Sequence, residues 1–572
     1  MRYFTCVLTI LVLFLLTTFI NANDKTTLTN NIVGISDELE TNAINRLELL
    51  EKIYKNNLNS ELIRDIAQNG KKEIAKALQP YGYFSPDIKL TLQNSQNNWT
   101  ANYIINKNEP VRITKININI LGSGKNNERL LQTKEYSQKQ INRIFTAKRY
   151  NKIKNTLLTR AQNQGYINAK FLADRVIIKT STHECIINLI ISTNGRFYFG
   201  AIRFSHSPFT NKFLRRYLTY HENIPFSYRK ILSSQEALTG SQYFSSATIV
   251  YNDKKLKNKK IPTKIHLTML KATQYKFGLG YSSADGPRVT VGYTRRWINR
   301  WGHRFSALFS LSPKEKDFFA SYIIPGSRPS HDQYAINMGI YKIKPPNGES
   351  LVQKIGASYT FNKKKWQTAF NIDYDKERYR FDDDAEYQSS NLLVPSATLT
   401  LIDTNKIVNV KNGNKFSINV QGALIDFFSS VSYLQTDIQY KTIRTFWQKN
   451  RLVLFGNIGY TKVNDLDKLP LSKQFYLGGI GNMRGYAYRD LGPGKYKLMG
   501  SVEYQREVIK SWYGAVFYDI GNAMNNYNDH LARSVGIGTI WQSPIGALKI
   551  YISHPIDRTK NLQFEISLGP DL

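Results

Sequence analysis

Two rhythms of apolar and polar positions divide this chain. Up to about Lys271, stretches with helical spacing alternate with short strands of alternating character; beyond it helical spacing almost vanishes. The first region repeats itself. A helical stretch, a corner and a strand occur at Ile74…Gly82-Tyr83-Phe84, at Leu157…Gly165-Tyr166-Ile167 and at Leu232…Gln242-Tyr243-Phe244, so that positions 82, 165 and 242 lie 83 and 77 residues apart. Glycine accepts the left-handed conformation that ends a helix, and the following aromatic packs beneath it as the strand begins. Each repeat closes on an alternating strand, Trp99–Ile105, Ile186–Ile191 or Ile261–Leu270, and new ones open at Val111–Leu121 and Phe197–Phe204. A strand, two helices and two strands in about 80 residues predict an array of three small α+β modules, over 30–108, 109–194 and 195–271. In the third, Gln242 replaces the glycine, and Gly240 is expected to end the helix instead.

From Gln274 onward the pattern has a period of two in segments of about ten residues, aromatic and β-branched positions alternating with polar ones. Tyr275–Tyr281, Val289–Trp297, Trp366–Tyr374, Leu452–Tyr460 and Leu562–Leu568 are typical. Eleven such segments run up to Val463 and five more follow from Leu498. A tilted membrane strand needs about 9–11 residues, and an even number lets a sheet close without leaving an edge in lipid. The prediction is a 16-stranded antiparallel transmembrane β-barrel over 274–572, with one long insertion, 464–497, acting as a plug.

The beginning of the chain sharpens that reading. Arg2, the apolar run Val7–Ile20 and Ala22 read as a secretory signal, residues 1–22, too short an apolar run to span a bilayer. Of the two cysteines only Cys185 lies beyond it, within an alternating strand, so a packed thiol is expected rather than a disulfide. The formal charge of +35 would suggest nucleic acid in a cytosolic chain, but the basic residues are spread along the whole sequence. No nucleic-acid partner is expected; attraction to the lipid bilayer and to lipopolysaccharide is. No Gly-x-Ser-x-Gly elbow, Ser/His/Asp set or zinc motif is present, and the eight histidines are scattered, so neither an enzyme nor a metal or other cofactor is expected.

The insertion carries the candidate chemistry. It reads Tyr476-Leu477-Gly478-Gly479-Ile480-Gly481-Asn482-Met483-Arg484-Gly485-Tyr486 and continues to Gly492-Pro493-Gly494. As a dinucleotide loop its glycines are wrongly spaced and lack a βαβ unit. Read physically, they let the backbone fold tightly into a narrow space with one arginine at the tip. An arginine inside a barrel requires a carboxylate partner. Asp519, in Phe517-Tyr518-Asp519-Ile520-Gly521, is the first choice and Glu503 the second.

These phrases are where the chain resembles the Omp85 superfamily. An Arg-Gly-aromatic loop tip facing a later Phe-x-Asp-x-Gly strand is similar to the superfamily signature; Arg484, Gly485 and Tyr486 match the tip, and Asp519 and Gly521 the strand. Gly165-Tyr166-Ile167-Asn168-Ala169-Lys170-Phe171 and Gly195-Arg196-Phe197-Tyr198-Phe199-Gly200 resemble the POTRA modules of its TamA-like branch. So do Gly278-Leu279-Gly280-Tyr281 with the turn after it, and Ser567-Leu568-Gly569-Pro570. The resemblance implies POTRA modules in the periplasm and a barrel in the bacterial outer membrane. It implies an assembly or translocation factor for unfolded outer-membrane protein clients, partnered by a TamB-like inner-membrane-anchored protein. The residues of the first and last strands add a mechanism. Proline lacks the N–H of a ladder and glycine weakens strands, so Gly278, Gly280, Gly569 and Pro570 predict a seam that pairs over few residues. An opened seam is a template for a client's strand. Rivals within the superfamily are a two-partner-secretion transporter, with two modules and a plug helix, and an envelope lipid-traffic component.

Overall fold

The computed structural model describes residues 26–54, 58–95, 98–252, 258–282, 286–381, 385–404, 409–479, 482–526, 528–543, 546–558 and 562–569. The region expected to be a signal, and Pro570, lie outside them. The chain packs as two units: one takes residues up to Ile202 with Tyr220–Lys230 and Tyr251–Thr263, the other Arg203–Thr219, Ile231–Val250 and everything from Lys264.

In the first unit, β1 (Thr27–Val33), α1 (Asp37–Ile53), α2 (Ser60–Leu78), β2 (Asp87–Ser95) and β3 (Asn98–Asn106) form a sheet of order β1-β3-β2 under two helices. The helices bury Ala43, Leu47, Ile74 and Leu78 on Ala101, Tyr103 and Ile105 of the central strand. Next come β4 (Arg112–Leu121), α3 (Glu128–Gln138), α4 (Ala147–Asn163), β5 (Lys170–Lys179) and β6 (Glu184–Ser192), with order β4-β6-β5. Here Thr146 caps α4 by accepting from the Arg149 N–H at 3.1 Å. Cys185 is fully buried on β6, and burial pushes its thiol up to about 11.

The third sheet has β7 (Tyr198–Phe204), β8 (Phe244–Tyr251) and β9 (Lys260–Met269) in the order β7-β9-β8, with α5 (Asn211–Arg215) and α6 (Tyr228–Thr239). The corners at Gly82 and Gly165 have φ of 100° and 91°. The third corner corrects the sequence expectation. The helix does end just before Gly240, whose N–H still bonds to the Glu236 carbonyl at 2.8 Å, but the left-handed residue is Gln242, with φ 67°. The strain is offset because the Gln242 side chain accepts from Arg304 at 3.1 Å and the next residue, Tyr243, is buried against Phe209 and Phe213.

The barrel opens with β10 (Thr273–Ser282), β11 (Gly286–Arg295), β12 (Arg304–Leu311), β13 (Glu315–Pro325), β14 (Asp332–Ile343) and β15 (Glu349–Lys363). It continues through β16 (Trp366–Arg380), β17 (Gln388–Thr404), β18 (Gly413–Ala423), β19 (Tyr433–Phe446) and β20 (Asn450–Val463). After β20 the chain forms a two-stranded ribbon, β21 (Phe475–Leu477) and β22 (Leu491–Gly494). The wall then resumes with β23 (Tyr496–Ile509), β24 (Trp512–Met524), β25 (Ala532–Ser543), β26 (Gly546–Pro555) and β27 (Gln563–Gly569). Every wall strand is antiparallel to the next, and the sixteen close on themselves. Tyr334, Ile336, Met338 and Ile340 of β14 show the outward apolar period, each about half exposed. Trp366, Trp512 and Trp541 lie at one end of their strands, where a membrane interface places aromatics.

Closure is uneven. β15 and β16 stay in register from Glu349–Arg380 to Lys363–Trp366. Among the described residues β10 and β27 are in register only at Tyr281–Ile566 and Ser282–Glu565.

Candidate functional site

The long insertion between β20 and β23 folds back into the lumen, and its path is set by positive-φ glycines. Gly478 and Gly479 have φ of 119° and 97°. A Cβ on Gly478 would meet the Ala487 carbonyl oxygen at 2.1 Å, so only glycine lets the two limbs approach. Ile480 and Gly481 lie outside the described residues. Gly485, with φ 86°, presses the tip onto the barrel wall at Ser534 and Pro555.

Arg484 is 7% exposed and meets Asp519 of β24, itself fully buried. The guanidinium donates to both carboxylate oxygens, Nε to Oδ2 at 2.8 Å and Nη2 to Oδ1 at 2.7 Å, and the Arg484 backbone N–H adds a third bond at 3.2 Å. Nη2 also donates to Ser501 Oγ at 3.0 Å, and Nη1 contacts Glu503 of β23. The structure thus brings both sequence candidates to the same cation. The guanidinium lies 3.5 Å from the centre of the Phe517 ring and 4.9 Å from that of Tyr551, whose hydroxyl donates to Glu503 at 3.1 Å. Bidentate pairing fixes the tip's orientation, and the two rings pack against the guanidinium. Tyr486, nearly fully buried, donates to the Arg533 carbonyl at 3.3 Å.

A second ionic anchor was missed by sequence reasoning. Lys473, at the start of the same insertion, is 7% exposed, and its Nζ lies 2.6 Å from Asp375 Oδ2 on β16. Beside it Glu377 accepts from the Ser472 N–H at 3.0 Å and from Ser350 Oγ at 2.6 Å. Gln435 of β19 donates to the Lys473 carbonyl at 2.8 Å. The tip's far side is held as well: Tyr488 donates to Glu315 of β13. The insertion is therefore tied to three separated sectors of the wall. A signal for the second anchor did exist. Asn371, Asp373, Asp375 and Glu377 alternate along one strand, and a run of carboxylates within the lipid-embedded part of a strand marks its lumen face.

At the seam, Gly278 and Gly280 lie on β10, and Gly569 ends β27 opposite Ala547 of β26. A Cβ on Gly280 would find its nearest neighbour at 3.9 Å, so no close approach demands glycine there. On the stretch of β10 that has no β27 partner among the described residues, Phe277 and Leu279 are 78% and 75% exposed, more than any outward residue of β14.

Comparison with known proteins fits this geometry. The Omp85 superfamily domain matches residues 271–571, the whole barrel with its insertion. The chain belongs to the Omp85 superfamily. The first TamA-type POTRA domain matches residues 29–107. Among characterised relatives, the outer membrane protein assembly factor BamA of Nitratidesulfovibrio vulgaris is 31% identical over 129 residues, 18% of this chain and 16% of that protein. The match thus spans a small part of that relative's length. The solved structure of Haemophilus ducreyi BamA lacking POTRA domains 1–3 superposes with a TM-score of 0.60 at 16% identity, over 80% of this chain and 99% of that one. CdiB from Acinetobacter baumannii gives 0.50 at 13% identity, over 94% and 99%. As an Omp85 protein, this chain sits in the outer membrane with its POTRA modules in the periplasm.

Proposed function

We propose that this Omp85 protein is a TamA-like assembly or translocation factor that adds client β-strands at the β10–β27 seam and releases them sideways into lipid. The short seam carries the reading. From Thr273 to Gly280 the β10 edge has no β27 partner among the described residues, a span of about 25 Å at the usual rise per residue. Each backbone group left unpaired in hydrocarbon costs several kcal/mol, so such an edge favours any incoming strand able to pair with it. Gly278, Gly280 and Gly569 contribute low strand propensity on both sides of the junction.

Arg484, held by Asp519 and Glu503 beside Gly485 and Tyr486, keeps the insertion seated so that β23–β27 stay rigid while the seam yields. The same backbone pairing at the edges of the POTRA sheets would receive extended clients or a TamB-like inner-membrane-anchored partner. The match of residues 29–107 to the TamA-type first POTRA domain supports that branch over the general insertases.

The test is a pull-down from native membranes combined with insertion of an unfolded outer-membrane barrel protein into liposomes holding the purified chain. The reading expects a large inner-membrane-anchored partner and client strands that crosslink to β10. Recovery of a lipoprotein complex instead, or secretion of a soluble exoprotein without barrel insertion, would contradict it.

A further inference from the structure

The outer face of β13–β16 carries a feature that the assembly reading leaves unused. Register places Lys316, Lys342, Leu351 and Arg378 in one row across four strands. The next row inward is Phe318, Ile340, Gln353 and Lys376, and the one below it Ala320, Met338, Ile355 and Tyr374. Alternation puts these side chains outside: Glu377 and Asp375, their neighbours on β16, are buried in the lumen, while Lys376 and Arg378 are exposed. Strands alternate in direction from the periplasmic entry of β10, so the basic rows sit at the extracellular end of the wall. Beneath them lies an apolar groove of about 460 Å³ lined by Phe318, Met338, Ile340, Ile355 and Tyr374.

A row of cations above an apolar groove, at the level of the outer headgroups, has a definite complement. We propose that this face is a binding site for a phosphate-bearing, multiply acylated glycolipid of the outer leaflet. Lys316, Lys342, Lys376 and Arg378 take its phosphates, and the groove takes an acyl chain. Charge decides between this and ordinary bilayer contact. Seven cations lie along the outer end of these strands: Lys314, Lys316, Lys342, Lys344, Lys376, Arg378 and Arg380. Glu349 joins them, bound by Lys342 at 2.7 Å and Arg380 at 2.8 Å. Asp382, Asp383, Asp384 and Glu386 follow in sequence, the aspartates outside the described residues. Even with all four counted beside Glu349, cations exceed carboxylates on a surface that faces lipid. Arg378 is held ready, stacked 4.2 Å from the Tyr387 ring centre. Basic side chains at a membrane surface each add to the attraction for anionic headgroups.

The test uses the full chain, delipidated in neutral detergent and titrated with bisphosphorylated lipid A, bound lipid being read by native mass spectrometry. The comparison is the variant Lys376→Gln/Arg378→Gln, whose fold is checked by heat-modifiable migration. Wild type retains the lipid, and the variant binds about tenfold more weakly, with the difference shrinking at high salt. Equal retention by a folded variant would overturn the proposal. So would equal binding of dephosphorylated lipid A, or displacement by phosphatidylglycerol or inorganic phosphate at matching concentration. Because the readout is lipid retention, its failure leaves the seam reading untouched, and failure of client insertion leaves this one untouched.

Discussion

Among the described residues, β10 and β27 join at two residue pairs, whereas β15 and β16 are stitched along their whole length. Both junctions are antiparallel ladders in the same wall, so the difference cannot come from backbone chemistry. It comes from length and composition. β27 is a seven-residue strand ending in Gly569, and β10 carries Gly278 and Gly280; β15 and β16 each run fifteen residues and are further held where Lys473 and Ser472 bind Asp375 and Glu377 from inside. In the proposed function, the lumen insertion braces one part of the wall by charge pairing, and the seam is the place where opening costs least.

Removing the brace should blur this contrast most. Arg484→Ala leaves Asp519 and Glu503 buried without their cation, an expected local cost of about 3–5 kcal/mol. The barrel still inserts, client insertion falls to background, and the insertion becomes protease-sensitive; full activity with unchanged protection would contradict the role given to Arg484. Lys473→Ala removes one of the three wall anchors and exposes Asp375 to the same penalty, at the low end of about 3–5 kcal/mol because Glu377 keeps its serine donors. Its signature is loosening near β16, read by cysteine labelling at Leu471, with Arg484 still protected. Gly485→Ala forces a side chain into φ 86°, an expected strain of about 1–2 kcal/mol, and lowers activity without removing any charge. Gly280→Val acts at the other side of the comparison. The site has room for the side chain, β-propensity rises by up to about 1 kcal/mol, and the seam should open less often, slowing insertion a few-fold in a liposome assay.

Much of this was legible in the chain before its structure. Period-two patterning gave the strand number because lipid outside and water inside impose the alternation on every strand. The Arg-Gly-Tyr tip pointed to an enclosed cation, and Asp519, in its Phe-x-Asp-x-Gly phrase, and Glu503, on the strand before it, are the two carboxylates that meet Arg484. The Lys473–Asp375 anchor was not found: the alternating carboxylates of β16 marked a lumen face, but their cation lies 98 residues away and no local pattern couples the two. The helix ends before Gly240 as glycine propensity suggests, but the left-handed corner falls on Gln242, where Arg304 and the buried Tyr243 decide the backbone. Glycines flagged the seam, but its actual register, through Tyr281 and Ser282, lies just beyond them.

One experiment addresses the seam directly. Cysteines at Tyr281 and Ile566, which face each other in register, should form a disulfide across the junction, and a matching pair at Ile438 and Ile458 staples β19 to β20 as a control. With both variants oxidised in liposomes and challenged with an unfolded barrel client, the account predicts that the seam staple halts insertion until reductant is added, while the control inserts at the wild-type rate. Insertion at the wild-type rate through a fully oxidised seam would contradict it.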